Sequence, residues 1–450
     1  MPTDLENVII GSGPSAYICA LELIRNGQSC TIVTPTLVAH ASPHKIENSD
    51  SSKKLFLKDR FTKSWVYKDS GDRFKIHGHR TDVMETAAFG GLSNIWGAVC
   101  FPALNINTFL PSLTSKEIET LLLDLKNILR IKTIDSEFWS IDDSKVHQGE
   151  FFLKDPHPSI ARGLDGGPWD LNDEWKMLDE RYLTFLEGFV TKVSKSLDGY
   201  LILNLENSNG ISKEIVCKRV FFACGPFGNA RIILNSCPKL ESIEIKDSSV
   251  KYKIFFDISL QRRFEDSMEP KKLFLHSTSG SAGRTSYLQL YNLSWQLIQS
   301  FRFKRLHTLL KSIAKIATPF VSVGLIFGSS SESPSITLAK TESGGLESRI
   351  GKSRKSIFCG ARFTWKLVLS GLIPLPFSIK GKPGSGVHSG AFLGDNSTCA
   401  NKALIQNQIQ EKDGVYFLGT SNLAQIPAGP VTLLGLMHTL FTARNVCSVE

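Results

Sequence analysis

The chain has 450 residues, 42% hydrophobic and 21% charged, which gives room for two or three domains with a full core and excludes a disordered or fibrous protein. Its 52 basic and 43 acidic residues leave a net charge of +9, which favours anionic partners such as phosphorylated molecules, nucleic acid or membrane lipid. The nine cysteines form no C-x-x-C pair, so neither disulfides nor zinc is expected; the acidic opening MPTDLEN holds no apolar leader, so a cytoplasmic location is expected.

Residues 8–34, VIIGSGPSAYICALELIRNGQSCTIVT, read as strand, glycine turn, helix and strand. Val8, Ile9 and Ile10 break at Gly11-Ser12-Gly13; Pro14 and Ser15 open a helix on which Ala16, Ile18, Ala20, Leu21 and Ile24 recur at helical spacing. This is the order of a dinucleotide-binding βαβ unit. Gly11 permits the tight turn, Gly13 lets a pyrophosphate approach the backbone, and Ala16 is small enough for close helix–strand packing. The helix N-terminus adds free N–H groups and partial positive charge. The acid expected about 20 residues on, for the ribose hydroxyls, is missing, because the second strand ends in Thr34-Pro35-Thr36.

Residues 40–80 are polar and basic, and the His77-x-His79 pair has no acidic or cysteine partner at ligand spacing, so it reads as surface loop. In AAFGGLSNIWGAVCFP, Gly90, Gly91 and Gly97 bracket Ser93, Asn94 and Trp96, which suits either backbone wrapped around a flat ligand or a buried turn. An amphipathic helix is expected over 110–129 and a loop over 156–173. A small meander follows from strands at 189–193, 201–205 and 214–216, and then a buried strand at 220–223 that runs into Cys224-Gly225-Pro226 and a helix.

GSGPSA, FGGLSNIWGAVCFP, RVFFACGPFGNARIIL and the C-terminal VYFLGTSNLAQIPAGPVTLLGLMHTLFTARNV, in this order, resemble the glucose–methanol–choline family of flavoprotein oxidoreductases, and the second motif is similar to the pyranose oxidase form. The resemblance implies an α/β fold: an FAD-binding Rossmann-like domain of the glutathione-reductase type (1–110, 186–245 and 384–450) and an α+β substrate domain (111–185 and 246–383) roofing the flavin. It implies cofactor contacts from Gly11, Ser12, Gly13, Pro14, Ser15 and Ala16; from Gly90, Gly91, Ser93, Asn94, Trp96 and Gly97; and from Val190, Gly225, Gly419, Thr420, Pro430, Val431 and Thr432. Ile95 stands where pyranose oxidases carry the histidine that attaches the flavin, so FAD is expected to bind non-covalently. The first histidine of the family's catalytic pair maps onto His388, and the second member onto Gly429, so that partner is absent. Asn422 and His438 are the other candidates for orienting the substrate, and His438 reads more readily as a packed helix residue.

The implied reaction is hydride transfer from an alcohol, a sugar or lipid-linked sugar among them, to flavin N5, with His388 as base and an electron acceptor still to be identified; nucleic acid has no place in it. The alternative is a flavoprotein reductase or redox-neutral flavoenzyme acting on a membrane-borne substrate. Residues 295–327 and 354–380 pair basic side chains with apolar ones at helical spacing, without the roughly 20 apolar residues that a spanning helix needs. They read either as helices lying on a membrane, with 295–327 making peripheral contact, or as core helices with extended lysines.

Overall fold

In the computed structural model, which describes residues 5–37, 76–78, 80–81, 83, 85–95, 99–100, 106–131, 151–155, 160–164, 169–207, 209–258, 272–277, 285–292, 320–342, 344–351, 361–385, 388–393 and 414–448, the chain opens with the expected βαβ unit. Strand β1 (Leu5–Ile10), helix α1 (Pro14–Arg25) and strand β2 (Cys30–Thr34) follow one another, and β1 runs parallel to β2. Val8, Ile9 and Ile10 are buried because β1 is a central strand with both faces covered. Pro14, whose missing N–H costs nothing in a first turn, starts α1. Ala16, Ile18, Ala20 and Leu23 then pack in one core with Leu433, Met437 and Leu440 of helix Thr432–Ser448.

The first sheet is completed by Leu183–Glu187 beside β2 and by Ser212–Phe222 on the other side of β1. Ser212–Phe222 is one continuous strand, where the sequence suggests two. Residues 212–217 pair antiparallel with Leu201–Glu206 of the meander, whereas 220–222 run parallel to Val415–Phe417 from the C-terminal block. One long strand therefore joins the meander to the parallel sheet.

A second sheet of six antiparallel strands has the order Leu372–Lys380, Val250–Asp257, Val321–Gly328, Thr285–Asn292, Lys272–Ser277, Phe151–Asp155. One of its faces buries Phe255, Phe274, Leu288, Leu290 and Ile326 against Phe363 and Leu367 of helix Ala361–Leu369. The other presents Tyr287, Phe327 and Leu273 in a separate cluster with Val99 and Ala428. A third sheet, Ser389–Gly390, Ser242–Asp247, Ile336–Lys340, Leu346–Ile350 and His77–Gly78, packs with helix Gly225–Ser236.

Several expectations change. Within 295–327 the basic segment up to 319 lies outside the described residues, but 321–327 is an interior strand, since its alternate residues feed both faces of the second sheet. Within 354–380, Ala361–Leu369 is a helix with Phe363 fully buried, and 372–380 is a strand. Helix Ser115–Ile128, started by a Thr114–Glu117 capping box, packs on helix Thr432–Ser448 in the same hydrophobic core as α1, Trp169 and Trp175. No helix among the described residues is long and apolar enough to cross a membrane, and none of their His, Cys, Asp and Glu side chains cluster as a metal site. His79 lies outside the described residues.

Replacing Phe363 by alanine should cost about 3–5 kcal/mol in denaturant unfolding, as removal of a buried aromatic does. A helix facing a membrane would show almost no loss.

Candidate active site

The turn between β1 and α1 contains two glycines with different reasons for being glycine. Gly11 has φ +108°, and a Cβ there would meet the Ala223 carbonyl oxygen at 2.7 Å, so the protein itself demands glycine. A Cβ on Gly13, at φ −75°, would meet nothing nearer than the Gly90 carbonyl oxygen at 3.9 Å. Gly13 therefore leaves free space in front of it. Helix α1 has no side-chain cap, so its first N–H groups and its partial positive charge face that space.

Ser12 holds the turn in place. Its hydroxyl accepts from the Gly90 N–H (3.1 Å) and bonds the Thr34 hydroxyl (3.0 Å), tying the turn to the end of β2 and to the Gly90-Gly91 segment. Thr34, fully buried, is thus a member of the frame. The Ser12 carbonyl accepts from Trp175 Nε1 at 3.1 Å, and the Trp175 ring lies edge-on to Tyr17 at 5.4 Å. Tyr17 donates to Glu174 (3.3 Å), which is ion-paired with Arg130 at 2.6 Å. Burial and the neighbouring Glu174 charge push the Tyr17 phenol upward, so it stays a donor. Glu174 and Trp175 follow directly on the stretch 156–173 that reads as loop in the sequence.

In front of the turn lies a cavity of about 450 Å³. Gly11, Ser12, Gly13, Pro14 and Ser15 line it, together with Val190, Cys224 and Gly225. The same cavity is lined by Gly91, Ser93, Gly419 and Thr420, by Pro430, Val431 and Thr432, and by His388. Most of the sequence-derived site residues therefore meet in one space. Ala16 sits behind the turn in the core, and Gly90 contributes its N–H and carbonyl to Ser12 and Ser93. The side chains of Asn94 and Ile95, and all of Trp96 and Gly97, lie outside the described residues. A separate hollow of about 530 Å³ at Thr191, Asn235 and Lys340 is open to solvent and holds none of these residues.

The sequence missed several residues that line the cavity. Glu85 and Arg231 form an ion pair there; burial raises the Glu85 carboxyl, and the Arg231 charge opposes that rise. The Arg231 Nε has no hydrogen-bond partner, which leaves a buried donor beside the cavity. Burial pushes the Cys224 thiol up to about 12, and its Sγ lies 2.9 Å from Asn229 Oδ1, so it remains an unreactive thiol. From the second sheet come Gln289, Tyr291, Leu325 and Phe327.

Burial holds the His388 imidazole down at about 4, so it is neutral at physiological pH, and its Nδ1 has no partner. Its ring rests on Phe327 at 4.7 Å. The segment carrying it is anchored by Asp247, which accepts from the Gly384 N–H (2.9 Å) and the Ser389 hydroxyl (2.7 Å) and whose carboxyl burial pushes up to about 6. His438 is likewise held down at about 4 by burial in the last helix, and Asn422 donates to the Phe417 carbonyl at 2.8 Å, a structural role. Gly429, with φ +119°, faces the Tyr287 ring: a Cβ there would meet Cγ at 2.9 Å.

The free space at Gly13, the uncapped helix and the unpartnered Arg231 donor fit a dinucleotide cofactor. No protein-family model matches this chain, and no curated protein does. A solved structure does: pyridoxine 4-oxidase from Mesorbium loti, at a TM-score of 0.58 and 10% identity over 98% of this chain and 99% of that one. At that identity the likeness is one of fold, and it agrees with the expected Rossmann-like α/β class. It gives no support to a special closeness to pyranose oxidases.

Gly13→Val should abolish flavin loading while leaving the unfolding midpoint of the apoprotein nearly unchanged, because the new side chain enters only the cavity. Gly11→Ala should lower that midpoint, because its Cβ strikes the Ala223 carbonyl. Thermal melts of the two apoproteins, with flavin absorbance, check both.

Proposed function

We propose that this chain is an FAD-dependent oxidoreductase that oxidises an alcohol by hydride transfer. The observation that carries the reading is one cavity that joins an uncapped helix N-terminus, approached through glycine, to a neutral, half-buried histidine. The FAD would serve as hydride acceptor. Gly11, Ser12, Gly13, Pro14 and Ser15 with the first N–H groups of α1 would hold its diphosphate, Arg231 Nε would give a further hydrogen bond, and Pro430, Val431 and Thr432 would border its ring. Ile95 cannot form the histidyl link, so binding is non-covalent. The shared fold with a protein named as an oxidase supports the same class.

His388 takes the hydroxyl proton. A neutral imidazole has a lone pair for it, and its ring is held against Phe327. Its depressed basicity and the glycine at 429 favour a second reading, in which reduced flavin acts on a double bond or a membrane-borne, lipid-linked sugar and no strong base is needed.

Mixing the holoenzyme with primary and secondary alcohols under argon separates the two. Alcohol oxidation bleaches the oxidised-flavin absorbance; if no alcohol bleaches it, the second reading gains. His388→Ala should retain FAD and slow bleaching by roughly 10²-fold or more. The wild-type rate should be flat near neutral pH and fall as pH drops through about 4, where the imidazole gains its proton and loses the lone pair.

A further inference from the structure

Oxidation at His388 calls for a second polar group to hold the substrate oxygen, and the resemblance would put it at Gly429. No side chain fits there, since a Cβ would lie 2.9 Å from Tyr287 Cγ and 3.0 Å from Cδ1. The polar atoms at this end of the cavity come instead from the roof. In strand Thr285–Asn292, alternation puts Tyr287, Gln289 and Tyr291 on one face, with Phe327 opposite Tyr287 and Leu325 opposite Gln289 on the next strand. Gln289, Tyr291, Leu325, Phe327 and His388 all border the cavity, while Leu288 and Leu290 turn away toward Phe363.

The Tyr291 hydroxyl donates to Gln289 Oε1 at 2.7 Å. That bond engages the carbonyl end of the amide and leaves its nitrogen, which has no partner among the described residues, to donate into the cavity. Burial raises the Tyr291 phenol, so it keeps the proton that fixes this orientation. The charged side chains bordering the cavity among the described residues are Glu85 and Arg231, and these pair with each other beside Cys224 and Gly228. Among the described residues, no other ionised side chain borders the cavity that Gln289 and His388 share.

We propose that Gln289, held by Tyr291, donates a hydrogen bond to the hydroxyl oxygen of the substrate while His388 accepts the hydroxyl proton, so that the site takes a neutral and largely apolar alcohol. Gln289 is the binding group and Tyr291 a positioning residue that acts through it. The proposal rests on the alcohol-oxidation reading, and a ligand that cannot be oxidised separates the two.

The probes are 2-phenyl-2-propanol, a tertiary alcohol with no hydrogen on its carbinol carbon, and tert-butylbenzene, which has a methyl group in place of the hydroxyl. Their binding to oxidised holoenzyme is read from the perturbation of the flavin spectrum, whether or not any alcohol reduces it. In Gln289→Leu the ratio of alcohol to hydrocarbon affinity should fall by about 3- to 10-fold, the loss of one neutral hydrogen bond, with hydrocarbon binding unchanged. Tyr291→Phe should lose part of the same ratio, which a purely structural role for the tyrosine would leave alone. Gln289→Met, closer in shape, serves if the leucine variant fails to load flavin. An unchanged ratio in the Gln289 variants, or no binding of either probe to the wild type, overturns the proposal.

Discussion

The contact that organises this molecule is the approach of Gly11 to the Ala223 carbonyl, so close that a single added carbon would lie 2.7 Å from the oxygen. β1 and Ser212–Phe222 are parallel neighbours, and each turns into its helix through a glycine with positive φ, Gly11 at +108° directly after β1 and Gly225 at +75° three residues after Phe222. The chains then leave as two helices, Pro14–Arg25 and Gly225–Ser236, whose starts flank one crevice at the carboxyl ends of the strands. Open α/β sheets bind their ligands at such a place. The remaining structure supports this crevice. Trp175, Ser12 and Thr34 fix the turn from behind, the C-terminal strand Val415–Phe417 extends the sheet, and the second sheet closes over the far end with its Tyr287–Phe327 face.

What the sequence made legible is what is local. The run from β1 to β2 combines a short apolar strand, a glycine turn and a 3.6-residue period, and each of these depends only on near neighbours. The residues that join distant segments were hidden for the same reason. Trp175 meets Ser12 across 163 positions and Arg231 meets Glu85 across 146, so neither pair leaves a mark on its own stretch of chain. The stretch 156–173 reads as loop because Pro, Gly and Asp dominate it, yet its last residues start the Asp170-capped helix Leu171–Trp175; the buried Trp169 inside the stretch was the available sign of burial. Residues 321–327 continue an apolar pattern that looks helical when joined to 301–316, yet their alternation serves both faces of a sheet.

Gly429 and Tyr287 show how a missing residue in one segment can be explained by a present one in another. The glycine alone reads as a lost catalytic partner. Beside it, an aromatic ring from the opposite sheet occupies the space a side chain would need. Two residues further along the same strand face are Gln289 and then Tyr291, polar groups on a cavity wall otherwise made of Leu325 and Phe327. Once a ligand fills such a cavity each hydrogen bond counts, since a donor left unpaired against it loses its water. Burial keeps His388 neutral, which is the state a proton acceptor requires.

The proposed function requires this cavity to hold FAD, without a covalent bond. Acid precipitation of the freshly purified protein, followed by mass analysis of both fractions, tests it most directly. The expected result is a yellow protein that releases intact FAD into the supernatant and leaves a colourless pellet. A protein purified without flavin that takes up none on incubation with FAD, or a flavin that stays with the pellet, would contradict it.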